Sequence, residues 1–248
     1  MLSFMGISYS LVTSSISSLM QYFLIQAISS FSLLVFFSLD FSFLFTAVFF
    51  LKLSMFPFHR WYLSVVYRFP NFILFLASSF HKFPPLLLLS PSCHLLDIGV
   101  VSVSIFFTFL VSAVVMLFCS DLRLLLVASS VGNNSWFFLS GLFTQSFLCV
   151  FLFVYSLFFY MVLASVGSST PSPLLLLSLL SLSGLPPFPV FFFKAYLLFS
   201  FFSSFLAMLM LLLVASAMVC AYVQAIFSFL LLSFSSPSSL FQDSPLSQ

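Results

Sequence analysis

The chain has no glutamate. Its acidic residues are four aspartates, Asp40, Asp97, Asp121 and Asp243, and charged residues make up 4% of its 248 positions. A soluble domain carries roughly 25% charged residues, so a packed soluble fold is excluded. Lys and Arg number six, for a net charge of +2. With no basic cluster, nothing points to nucleic acid. The four cysteines, Cys93, Cys119, Cys149 and Cys220, form no Cys-x-x-Cys pair and have no histidine at zinc-ligand spacing. They read as small apolar residues. There is no Gly-rich phosphate loop, no nucleophile triad and no paired set of axial histidines for haem. The start, Met-Leu-Ser-Phe, has no basic region of the kind that opens a signal or transit peptide.

What is present is hydrocarbon. The chain is 63% hydrophobic with a mean hydropathy of +1.32. Its apolar runs are continuous and do not alternate with polar residues, as the strands of a membrane barrel would. Only helices satisfy their own backbone in lipid, so the fold class is all-α, a polytopic transmembrane bundle. Phe, Leu and Ser dominate, and all three can be written with T-rich codons. That composition is expected of a T-biased small genome such as an organelle's, which the nucleotide sequence of the gene checks.

Runs of about 20 residues, each enough to cross a hydrocarbon core of about 30 Å, divide the chain into about nine helices. They cover 2–19, 22–39, 41–58, 69–90, 98–119, 122–142, 147–166, 174–194 and 195–232. The first is serine-rich and is expected to pack against protein. Residues 59–68 read as a short polar link, and 93–97 as a loop holding Cys93, His94 and Asp97. The fourth run is interrupted by His81-Lys82-Phe83-Pro84-Pro85 and the eighth by Gly184-Leu185-Pro186-Pro187 and Pro189. Proline removes a backbone donor, so both helices are expected to break. The sixth has a polar centre, residues 129–136, that belongs in the bundle interior. The ninth is too long for one crossing and is either one long tilted helix or two segments divided near residues 221–224. The transmembrane domain spans 1–234, followed by a Ser/Pro-rich tail, 235–248.

All three arginines, Arg60, Arg68 and Arg123, fall in links on one side. The positive-inside rule makes that side the matrix or cytoplasm, with the N-terminus opposite. Three lysines, Lys52, Lys82 and Lys194, lie within or at breaks of apolar runs. A lysine at a helix centre costs about 2.5–3.5 kcal/mol on insertion scales. Each either snorkels to the interface from a segment end or handles protons. Burial disfavours the ammonium form, so a lysine held from water exchanges its proton near neutrality. Broken helices supply free backbone groups that order water. His59 and His81 are either hydrogen-bonded structural residues or proton relays; His94 is assigned nothing.

Five blocks, in order, resemble one family. Residues 22–30 (YFLIQAISS), 52–61 (KLSMFPFHRW), 81–85 (HKFPP), 121–136 (DLRLLLVASSVGNNSW) and 180–194 (LSLSGLPPFPVFFFK) are similar to blocks of the chain 2 family of mitochondrial NADH–ubiquinone oxidoreductase, respiratory complex I. That family is antiporter-like, and the resemblance runs from about residue 20 to 225. It implies a multi-pass subunit of the mitochondrial inner membrane that helps pump protons as electrons pass from NADH to ubiquinone. Lys52 matches the lysine on the first broken helix, Lys82 the bridging lysine, and Lys194 the lysine on the second broken helix. Two broken helices are thus expected. The family holds no cofactor in this subunit; NADH, FMN, Fe–S clusters and ubiquinone belong to other subunits. The implied partners are other membrane-arm subunits and lipids.

The departures from that family are specific. Its early glutamate, which pairs with the first lysine, aligns with Ser8, and the lysine of its "LRK" block is Leu124. Helices at the start of longer relatives are missing. Either a separate polypeptide supplies them and a carboxylate, or the subunit is structural and has lost pumping. A stand-alone cation/proton transporter is the other alternative, separable by migration on a native gel.

Overall fold

The computed structural model describes residues 16–119, 121–166, 173–200, 212–213 and 215–227, the side chain of Ser90 excepted. Helix α1 (Ile16–Ser38) runs unbroken, so the expected boundary between residues 19 and 22 is not a boundary. No turn former stands there, and the serines of α1 are accommodated in the helix. Ser30, Ser32 and Ser38 each donate to a carbonyl three or four residues back. A hydroxyl satisfied within its own helix can stay exposed on an apolar surface. The rest of the first expected segment, 2–15, lies outside the described residues.

Asp40, at φ 54°, turns the chain into α2 (Ser42–Leu53). Twelve residues rise about 18 Å, too short for a crossing. The crossing is completed by α3 (His59–Val66). This corrects the reading of 59–68 as a link, and moves the end of the third helix from residue 58 to Leu53. The polar residues His59, Arg60 and Arg68 made the stretch look extramembrane. Tyr62, Val65 and Val66 form a buried stripe at helical spacing, and that stripe holds the segment as a helix.

The fourth crossing is also broken. Helix α4 (Asn71–Ser78) gives way to a 3₁₀ turn, Phe80–Lys82, then to α5 (Phe83–Leu87) and α6 (Leu89–Ser92). Pro84 and Pro85 stand in the first turn of α5, where no intrahelical donor is lost. The break therefore falls just before them, at Lys82. The expected loop at 93–97 begins as a second 3₁₀ turn, Cys93–Leu95.

Three full-length helices follow: α7 (Ile98–Phe118), α8 (Leu122–Phe143) and α9 (Gln145–Ser165). Then α10 (Pro173–Ser183) and α11 (Pro189–Ser200) form another broken crossing. Helix α12 (Ala215–Phe227) is continuous through 221–224, so the division considered there does not occur. The tail, 235–248, lies outside the described residues.

By length and apolarity alone, α1, α7 and α9 are the described helices that qualify as single membrane spans. Helix α8 is as long but polar at its middle, and it is the axis of the bundle. It packs against α3, α5, α6, α7, α9 and α11, and every residue from 125 to 141 is buried. Two features let neighbours come so close. Gly132 has no room for a side chain: a Cβ there would lie 2.6 Å from Ser112 Oγ and 2.2 Å from Met218 Cε. Aromatic edges fill the rest, with Trp136 against Phe109 at 5.1 Å and Phe137 against Phe151 at 5.0 Å. The ends of the crossings meet where alternation requires. Tyr67 donates to Asp121 at 3.1 Å and Arg123 to Asn71 at 2.6 Å at one end, and Gln145 donates to the Leu87 carbonyl at the other.

Candidate proton-handling site around the central helix

The first break is a closed helix end. Ser54 adopts the left-handed conformation, φ 57°. Its N–H donates to the Leu51 carbonyl at 3.3 Å, and the Met55 N–H donates to that of Phe50 at 2.9 Å. This is the Schellman arrangement, with serine where glycine is usual. It leaves the Leu53 carbonyl free of helical partners. That carbonyl accepts from Asn134 Nδ2, which also lies 3.3 Å from Ser54 Oγ. A side chain from α8 thus caps the end of α2.

Lys52 sits in the last turn before this cap, half-buried. It makes no hydrogen bond or ion pair with the described residues. His59 begins α3 and stacks on Phe56 at 5.9 Å; its buried Nδ1 has no hydrogen-bond partner.

At the second break the lysine is fully enclosed. Lys82 is 4% exposed. Its Nζ donates to the Ser130 carbonyl at 3.0 Å and lies 5.3 Å from the centre of the Tyr62 ring. The Tyr62 hydroxyl is 3.4 Å from both the Ala77 carbonyl and Ser130 Oγ. Three elements, α3, the break after α4, and α8, therefore converge on one ammonium. Its charge is met by dipoles and a ring face, with no carboxylate bonded to it among the described residues. The neighbouring His81 is exposed and edges onto Tyr22 at 5.6 Å.

The third break centres on Gly184, φ +80°. Lys194, ten residues on in α11, folds back against it: a Cβ on Gly184 would stand 3.3 Å from Lys194 Nζ. Lys194 is 7% exposed and its Nζ is 6.0 Å from the Trp136 ring centre. Ser130 and Trp136 are separated by about 9 Å along α8 at 1.5 Å per residue. Lys82 and Lys194 thus both meet the middle stretch of one helix, Lys82 at Ser130 and Lys194 near Trp136, at different depths.

Between them runs a buried file of hydroxyls and amides. Thr108 and Ser135 share a hydrogen bond. The hydroxyls of Tyr155 and Tyr222 approach Asn133 and Ser129 without reaching hydrogen-bond geometry. Sequence placed the lysines and the polar centre of α8 but missed Tyr62, Thr108, Tyr155 and Tyr222. A tyrosine in a chain with 41 Phe was the available signal: its hydroxyl is retained where phenylalanine would suit lipid better.

This is a multi-pass helical membrane protein, with broken helices set around a polar central helix. The same fold occurs in a chain of respiratory complex I from Thermus thermophilus with bound aureothin, at TM-score 0.74 and 18% identity, over 90% of this chain and 60% of that one. It also occurs in a chain of the membrane-bound sulfane sulfur reductase, an archaeal respiratory membrane complex, at TM-score 0.72 and 14% identity, over 95% of this chain and 61% of that one. This chain therefore spans about three fifths of the length of either. No family profile and no curated protein sequence matches it.

Proposed function

We propose that the chain is a membrane-arm subunit of respiratory complex I in the mitochondrial inner membrane. Its work is a proton-translocation path coupled to electron transfer from NADH to ubiquinone, with every redox cofactor held by other subunits. The observation that carries this reading is Lys82. A lysine buried at a helix break, bonded to a backbone carbonyl and facing no carboxylate among the described residues, holds or releases its proton at low structural cost. Lys52 and Lys194 stand at the other two breaks around the same helix, and the buried hydroxyls between them are suited to ordering water. His59 and His81 are relays of lower rank, since their ring contacts set them apart from the lysines.

Both similar folds come from respiratory membrane complexes, which supports a place among other membrane-arm subunits. Lys52 has no anionic partner among the described residues, and the chain has no glutamate. A separate fragment facing α1 is the proposed source of that carboxylate.

The test is Lys82→Met and Lys194→Met in the assembled complex. Each is expected to lower the protons moved per electron pair while leaving NADH oxidation by a soluble acceptor intact. Full stoichiometry in both variants would leave a structural subunit as the correct reading. A chain that migrates alone on a native gel would instead make it a free cation/proton transporter.

A further inference from the structure

The outer face of α3 carries a second cluster, separate from the lysines. Arg60 and Ser64 lie on one side of it, Tyr67 and Arg68 follow in the turn after its end, and the four line an open surface pocket of about 470 Å³ with Leu63 and Leu124. Both arginines are exposed, and neither makes a hydrogen bond or ion pair among the described residues. The other charges at this end are engaged: Asp121 by the Tyr67 hydroxyl, and Arg123 by Asn71. The Asp121 carboxylate pushes the Tyr67 phenol up from its ordinary value, so that hydroxyl stays a donor.

Depth makes the arrangement unusual. At 1.5 Å per residue, Arg60 lies about 9 Å along α3 from its end at Val66, and Arg68 stands in the turn beyond that end. An exposed guanidinium at that level faces hydrocarbon unless an anion comes to it, and its long stem can climb only part of the way to water. The walls between the two arginines are Leu63 and Leu124, which suit an acyl chain and offer nothing to a free ion.

We infer that this cavity binds the phosphodiester headgroup of an anionic membrane lipid. The phosphate is forked between Arg60 and Arg68, with the Ser64 hydroxyl as a further donor and the acyl chains along Leu63 and Leu124. Planar guanidinium groups match phosphate oxygens in pairs, and basic pockets between helices at this level suit lipid headgroups. The inference is independent of the proton path.

Native mass spectrometry of the delipidated protein, released from detergent after incubation with phosphatidylglycerol, phosphatidylcholine or inorganic phosphate, tests it. Phosphatidylglycerol should be retained at least about fivefold over phosphatidylcholine, and phosphate should not displace it. Arg60→Gln with Arg68→Gln should bring retention down to the phosphatidylcholine level, and Arg123→Gln should leave it unchanged. Equal retention of the two lipids, displacement by phosphate, or undiminished binding by the double variant overturns the assignment. So does a protein neighbour cross-linked to this face in the lipid-depleted assembly. If the double variant fails to fold, the lipid and phosphate arms on the unaltered protein decide alone.

Discussion

The breaks at Ser54 and Gly184 follow one backbone plan and place their lysines differently. In each, a helix ends on a left-handed residue whose N–H bonds back three residues, and the next helix starts five positions later, at His59 or Pro189. At the first break the lysine precedes the turn by two residues and its ammonium is half-buried. At the second it follows by ten residues and returns to press on the turn itself. The left-handed residue answers this difference. At residue 184 both the backbone angle and the approach of Lys194 require glycine. At residue 54 serine takes the left-handed angle, and its strain of about 1–2 kcal/mol is offset by its hydroxyl's bond to the Leu53 carbonyl and by a cap from Asn134. One break is shaped by its lysine and the other by its cap.

Substitutions that exchange these features sharpen the contrast. Gly184→Val should have the largest effect. It forces a β-branched residue to φ +80° and pushes Lys194 away, for a loss of about 3 kcal/mol. A lower thermal midpoint of the purified protein, with faster reaction of Lys194 toward an amine reagent, is the expected readout. Asn134→Ala should come next: it removes the amide donor to the Leu53 carbonyl, leaves that carbonyl to the Ser54 hydroxyl, and costs about 1 kcal/mol, while leaving Lys194 as unreactive as before. Ser54→Gly should have the smallest effect and the opposite sign. Relief of the left-handed strain exceeds the loss of the hydroxyl's contacts with Asn134 and the Leu53 carbonyl, which Asn134 still caps, for a net gain of about 0.5 kcal/mol. Combined with Asn134→Ala, the same change should lose its gain and turn destabilising, because the Ser54 hydroxyl is then the donor left to the Leu53 carbonyl. Equal gains in the two backgrounds would mean that Ser54 Oγ contributes nothing to the cap.

Much of this arrangement is legible in the sequence. Proline pairs announce the breaks beside Lys82 and after Gly184, and a polar block within an apolar run announces the interior of α8. The break at Ser54 was misplaced because no glycine marks it and Pro57 comes three residues late. Helix α3 was hidden because polar residues occupy its exposed face, while its buried stripe is only Tyr62, Val65 and Val66. The contacts of Tyr62 and Asn134 join residues 68 and 81 positions apart. No local pattern encodes such pairs, and only the packed bundle creates them.

The serines that tie back into their own helices have a consequence for how such a chain varies. Ser104, Ser112, Ser129, Ser140, Ser178 and Ser181 all donate to the carbonyl three residues before them, as the exposed serines of α1 do in part. A hydropathy scale counts each hydroxyl as if it faced lipid bare, and so understates how readily these helices enter a membrane. In practice serine behaves here as a small residue with a self-contained polar group. Phenylalanine, leucine and serine have codons one base apart, so drift among the three moves through residues that a lipid-facing helix accepts. The sites closed to that drift are Gly132, Asn134 and Gly184, where backbone or cap admits no such neighbour.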